Sequence, residues 1–130
     1  MPDRIHHVDL PLADFEATYD FYTRVLGWKV KSVSGMGAQG WVETAGEPLP
    51  AGVRPRVLTI EFDDKSYLAF VMGKKPDYSG DEPHIAVKMR HLKERRDLVQ
   101  RLKDFKVEYE DNVGENLAFY DPNGLRIEIY

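Results

Sequence analysis

Polar and apolar residues alternate over residues 5–12: His6, Val8, Leu10 and Leu12 fall on one face, Ile5, His7, Asp9 and Pro11 on the other. A period of two predicts a strand with one buried side and one more polar side. The period then changes to three and four, with Phe15, Tyr19, Tyr22 and Leu26 along one side of a helix that Asp14 can cap and Gly27 can end. A strand over 28–33 should follow. Residues 35–55 hold five of the ten glycines and three of the eight prolines, which predicts a long irregular connection with at most a short strand at 41–44. Apolar runs at 57–62 and 67–72, joined by Asp63-Asp64-Lys65-Ser66, read as a hairpin. The first half is therefore β-α-β-β-β.

After a Gly- and Pro-containing link the pattern starts again. At an offset of 77, His7 falls on His84, Phe21 on Leu98, Val25 on Leu102, and Trp28-Lys29-Val30 on Phe105-Lys106-Val107. A strand, a helix and a second strand in common register make an internal repeat. The second half closes with apolar residues 117–120, the turn Asp121-Pro122-Asn123-Gly124 and a strand over 125–130, again β-α-β-β-β. We expect an α+β chain forming one domain over 1–130, with module one at about 4–73, a linker at about 74–82 and module two at about 83–130.

Strand parity then sorts side chains by face. If Val8, Leu10 and Leu12 pack under a helix, as Ile85, Val87 and Met89 do in the second half, the opposite faces carry His7 and Asp9, and His84, Ala86 and Lys88. In the last strand Leu125, Ile127 and Ile129 are core, leaving Arg126, Glu128 and Tyr130 on the far side. Thr59, Glu61, Tyr67, Ala69, Ala118 and Tyr120 join these polar faces by the same rule. Two imidazoles and a carboxylate suit a divalent cation and leave positions open for water or substrate. Strand histidines that are only hydrogen-bonded would show the same parity.

Composition narrows the chemistry. The chain has 130 residues, 42% hydrophobic, enough to build a core without staples. It has no cysteine, so thiol nucleophiles, disulfides and thiolate metal sites are excluded and any metal must be held by nitrogen and oxygen. A net charge of −4 argues against nucleic acid as a partner, and the basic residues within 88–103 are interleaved with Glu94 and Asp97 as on a solvated helix. No apolar run reaches signal-peptide or membrane-span length, so a cytoplasmic location without membrane contact is expected.

The stretches Ile5-His6-His7-Val8-Asp9-Leu10, Phe21-Tyr22-Thr23-Arg24-Val25-Leu26-Gly27-Trp28, Pro83-His84-Ile85-Ala86-Val87 and Phe119-Tyr120-Asp121-Pro122-Asn123-Gly124-Leu125-Arg126-Ile127-Glu128 together resemble the vicinal oxygen chelate superfamily. That group holds glyoxalases, bleomycin-resistance proteins and ring-cleavage dioxygenases. The resemblance implies tandem βαβββ modules with mixed sheets curled around a metal-bearing cleft. It also implies ligands from the first strand of each module and the last strand of the second: His7, His84 and Glu128. His7 is preferred to His6 because its parity matches His84. Ala69 stands where glyoxalase I enzymes add a fourth ligand, so three protein ligands are expected.

The same comparison separates this chain from the best-known members. Ala69 and Pro11 depart from glyoxalase I. Tyr120 abuts Asp121 and no histidine follows His91, which departs from ring-cleavage dioxygenases. Asp9 replaces the first-strand threonine of fosfomycin-modifying enzymes. The resemblance therefore implies a metal-dependent enzyme, of lyase, isomerase or dioxygenase type, acting on a small substrate that chelates iron, manganese, zinc or nickel. It also implies a homodimer in which the cleft is completed by modules from both copies. The alternative is a metal-free protein of the bleomycin-resistance type that binds a small molecule or antibiotic. Glu61 and Tyr120 are candidates for proton transfer, and Lys88 and Arg126 for holding an anion. None of the four is assigned a catalytic role.

Overall fold

The computed structural model describes residues 1–73, 76–78, 84–112 and 114–130. Its first sheet has five strands in the order β1-β5-β4-β2-β3: β1 (His7–Leu12), β2 (Lys29–Gly37), β3 (Gly40–Thr44), β4 (Arg54–Glu61) and β5 (Tyr67–Met72). The second has four in the order β6-β9-β8-β7: β6 (His84–Val87), β7 (Tyr109–Asp111), β8 (Leu117–Tyr120) and β9 (Arg126–Ile129). In each sheet the first strand lies parallel to the last and every other pairing is antiparallel. β1 and β2, like β6 and β7, run in the same direction with two strands between them, and the helix that joins them supplies the long crossover this needs. Most of the expected link at 74–82 lies outside the described residues.

Helix α1 (Phe15–Asp20) begins where expected: the Asp14 carboxylate accepts from the Ala17 N–H at 3.0 Å. It widens into a π-helical segment, Phe21–Val25, and Gly27 at φ +71° ends it. Helix α2 (Leu92–Asp104) opens at the position equivalent to Phe15 but runs further, and Lys106 takes the left-handed conformation at φ 57°. The 77-residue offset consequently holds through Leu102 and then lapses. Val30 pairs with Ile60 in β4 as Tyr109 pairs with Phe119 in β8, so the strand after α2 starts two residues later than Phe105-Lys106-Val107 implies.

The irregular stretch expected over 35–55 is shorter than its glycines suggested. Strand β2 continues to Gly37 and β3 is a full partner, with Met36 opposite Trp41. Gly35 sits at a bulge between β2 and β4, where an added Cβ would lie 2.1 Å from the Arg54 carbonyl oxygen. This glycine serves close strand approach, a role composition does not distinguish from a turn.

One apolar core runs through both halves, joining Phe21, Tyr22, Leu58 and Phe70 to Leu98, Leu102, Phe119 and Ile127. Parity is obeyed at Leu12, Ile127 and Ile129, each about 1% exposed or less, but Val8, expected under the helix with Leu12, is 42% exposed near the start of β1. The halves are also tied by polar contacts. Arg101 of α2 donates to the carbonyls of Val25 and Leu26 at 2.7 and 3.2 Å, satisfying acceptors left free at the end of the first helix. Tyr22, fully buried, donates its hydroxyl to Asp121 Oδ2 at 2.8 Å, and Asn123 Nδ2 donates to Thr18 Oγ at 3.2 Å. The Asp121-Pro122-Asn123-Gly124 turn is thus both a hairpin and a joint between modules.

Candidate functional site

With the core shared between the halves, each sheet keeps its polar face for itself. His7 opens β1 on the face opposite Leu12 and stacks on its register partner Tyr67, ring centroids 4.9 Å apart and 7° from parallel. Lys31 Nζ lies 4.2 Å from the Tyr67 centroid, so the phenol ring carries a cation as well. His7 Nδ1 is 2.8 Å from His6 Nδ1, and its Nε2 is 3.5 Å from Asp9 Oδ1. One ring nitrogen is thereby engaged by the neighbouring imidazole while the other points to a carboxylate. His7, Asp9, Lys31 and Tyr67 line a cavity of about 300 Å³ together with Glu43, Thr59 and Ala69.

The second sheet repeats the theme with a different carboxylate. His84 opens β6, and its Nε2 lies 3.7 Å from Oε1 of Glu128 on β9. Ala86, opposite Glu128 in the ladder, leaves room for the longer side chain. Glu128 is 8% exposed and heavily braced: Oε1 accepts from Asn116 Nδ2 at 3.1 Å and Tyr130 Oη at 2.9 Å, and Oε2 accepts from Arg126 Nε at 2.9 Å. The Arg126 guanidinium, then the Tyr130 hydroxyl, hold the carboxyl below the usual glutamate range against the opposing effect of burial. An ionised, oriented carboxylate beside an imidazole fits the nitrogen and oxygen donor set that divalent cations take, with outer partners fixing the ligand as in known metal sites.

The expected residues fall into two groups. His84 and Glu128 are brought together; His7 lies on the other sheet, in its own cavity. Among the described residues no three His, Asp or Glu side chains lie close enough to hold a cation together. The candidate polar groups also separate. Glu61, at the end of β4, is held by Lys29 at 3.3 Å and Lys65 at 3.4 Å, which pull its carboxyl down. Tyr120 is exposed beside Arg126. Arg126 itself is paired with Glu128 and Glu110. Lys88 lines a separate cavity of about 600 Å³ with Trp28, Glu61 and Arg90.

Two contributors escape a reading from residues alone. Asn116 precedes β8 and reaches Glu128; stepping the parity of Ala118 back by two would have found it. The stacking of His7 on Tyr67 depends on parallel register, which periodicity does not supply. Asp9 faces Ala69 in the first parallel ladder and Ala86 faces Glu128 in the second, so Ala69 and Glu128 are equivalent.

The chain belongs to the Glyoxalase/Bleomycin resistance protein/Dioxygenase superfamily, whose family model matches residues 4–129. No curated protein sequence matches it. Among solved structures, a possible glyoxalase from Bacillus cereus is 17% identical with a TM-score of 0.68, 98% of each chain being covered. A mutant of the fosfomycin resistance protein FosX from Listeria monocytogenes, in complex with Mn(II) and dihydroxypropylphosphonic acid, is 17% identical with a TM-score of 0.72, covering all of this chain and 93% of that one. A glyoxalase/dioxygenase from Nostoc punctiforme is 20% identical with a TM-score of 0.67, covering 98% and 89%. At these identities the likeness establishes the fold: tandem βαβββ modules with mixed sheets, the first carrying the additional strand β3. Among the described residues no helix is long and apolar enough to cross a membrane.

Proposed function

We propose that this protein is a metal-dependent enzyme acting on a small substrate with two adjacent oxygen donors, working as a homodimer. The reading rests above all on the His84–Glu128 pair, whose carboxylate is kept ionised and aimed by Arg126, Asn116 and Tyr130. Such bracing is costly to assemble around an isolated acid and useful around a ligand. His7 of one copy would join His84 and Glu128 of the other, since the first strands carrying both histidines are open edges of their sheets. A divalent cation held there would supply Lewis acidity toward the chelating oxygens. The chain's own residues bind and orient: Tyr67 packs flat on His7, and Thr59, Ser34 and Lys31 offer hydrogen bonds along the first cavity. Manganese, iron, zinc and nickel all suit nitrogen and oxygen donors; FosX, of the same fold, is a manganese complex.

The test is metal analysis of protein purified without chelator or affinity tag, then incubated with each of the four ions. Near-stoichiometric metal in the native protein, lost in a His84→Ala, Glu128→Ala double variant, is the expected result. If no metal is retained, the reading fails and metal-free small-molecule binding replaces it. Dilution through the dimer dissociation range should release the ion; retention by the monomer would refute a site shared between copies.

A further inference from the structure

The two halves offer matching donor pairs, but not by the same strand. In the second half the carboxylate near the histidine is Glu128, on the last strand, opposite Ala86. In the first half it is Asp9, on the first strand, opposite Ala69. Each half therefore fills the same ladder row with one carboxylate and one alanine, on exchanged sides. The distances agree: 3.5 Å from His7 Nε2 to Asp9 Oδ1, and 3.7 Å from His84 Nε2 to Glu128 Oε1. Two ligands each about 2.1 Å from one cation are about 3.0–3.4 Å apart in tetrahedral or octahedral arrangements, so both pairs need close by only a few tenths of an ångström.

Asp9 is also free for the task. Its side chain is 67% exposed, and among the described residues His7 is its sole side-chain partner. The other acid of this cavity, Glu43, lies on β3 at the far edge of the sheet from β1. His7 Nδ1 is occupied by His6, which directs Nε2 to the same side as Asp9.

We infer that Asp9 is a fourth protein donor to the cation, forming with His7, His84 and Glu128 a set of two imidazoles and two carboxylates. Asp9 supplies from the first strand the oxygen that Ala69 cannot supply from the last. This inference rests on the shared metal site proposed above. Two carboxylates neutralise a divalent ion, which favours retention of the metal.

Mn(II) binding followed by electron paramagnetic resonance of the free ion tests it, alongside circular dichroism to confirm folding. Asp9→Asn should weaken Mn(II) binding at least tenfold in the dimer, and Asp9→Glu should recover part of the loss. Glu43→Gln, which removes a charge from the same cavity, should change affinity less than twofold. If Asp9→Asn binds Mn(II) as wild type does while the His84→Ala, Glu128→Ala variant binds none, the role of Asp9 is refuted and the shared site stands. If Glu43→Gln weakens binding as much as Asp9→Asn, the effect is general charge and ligation by Asp9 is refuted. If wild type binds no Mn(II), both fall.

Discussion

Replacing Tyr22 by Phe removes a single oxygen from the joint between the modules, and the structure allows its effect to be worked out. Asp121 is 5% exposed and lives on donated hydrogen bonds. Its Oδ1 accepts from the backbone N–H groups of Asn123 and Leu125 at 2.8 and 2.9 Å; its Oδ2 accepts from Tyr22 at 2.8 Å and from Asn123 Nδ2 at 3.3 Å. Without the phenol, Oδ2 keeps only the longer contact. A hydrogen bond to a buried charged group is worth about 1.5–3 kcal/mol, and the Phe variant fills the same space without leaving a cavity. For a chain of this size each kcal/mol moves the melting point roughly 3–5 °C, so a fall of roughly 5–15 °C is expected.

The pH dependence gives the sign. Burial raises the Asp121 carboxyl above its usual range and the Tyr22 hydrogen bond pulls it part of the way down. Losing that bond raises it further. The bond stabilises the ionised form, so the advantage of wild type over Tyr22→Phe is full at neutral pH and shrinks as the pH falls through the native Asp121 pKa. Urea denaturation at a series of pH values reads this directly. A difference below about 0.5 kcal/mol at pH 7, or one that widens on acidification, would refute the account of the joint.

Further outcomes follow from other contacts. Gly35→Ala should cost about 1–3 kcal/mol in urea melts because its Cβ meets the Arg54 carbonyl, whereas the same change at Gly37, with contacts no closer than 3.4 Å, should cost under about 1 kcal/mol; equal effects would refute the bulge argument. Arg126→Met should move the Glu128 carboxyl titration, followed by carbon NMR, up toward the usual glutamate range, because the guanidinium is the largest influence lowering it. The stability lent by that ion pair is present above the ordinary glutamate pKa and lost as the pH falls through the lowered one, so the variant should show a flatter acid limb in its pH–stability curve. Leu98→Ala, at a fully buried position of the shared core, should cost about 2–5 kcal/mol and melt both halves in one transition; two separated transitions would refute a common core.

Much of this was legible in the sequence for a definite reason. Side chains on a strand alternate strictly, so placing Leu12 and Ile127 in the core puts His7 and Glu128 on the opposite faces whatever the rest of the chain does. Asp14 and Gly27 mark their helix because capping and left-handed backbone are local chemistry. What depended on distance was not legible. Parity says which face of a sheet His7 occupies but not which way that face looks, and among the described residues the two polar faces do not come together around one group of ligands. Glu61 has the right parity, yet its place at the end of β4 beside Lys29 and Lys65 takes it out of the cavity. Gly35 looks like a turn residue and is a contact residue. The lapse of the 77-residue offset after Leu102 has the same character: a helix of thirteen residues and a shorter one that ends in a π-helical segment can occupy equivalent places.

The open outer edges of β1 and β6 carry a consequence for how copies of this chain can meet. The His6 carbonyl accepts from the Tyr67 N–H at 3.1 Å, so the even-numbered backbone groups of β1 face β5 and those of His7, Asp9 and Pro11 face outward. Pro11 has no N–H to present there. A strand laid along β1 finds outward donors at His7 and Asp9 and then none. The edge strand that carries His84, β6, is only four residues long. Edge-to-edge addition along either histidine strand is thereby cut short, which denies such a ribbon the length from which a fibre would grow.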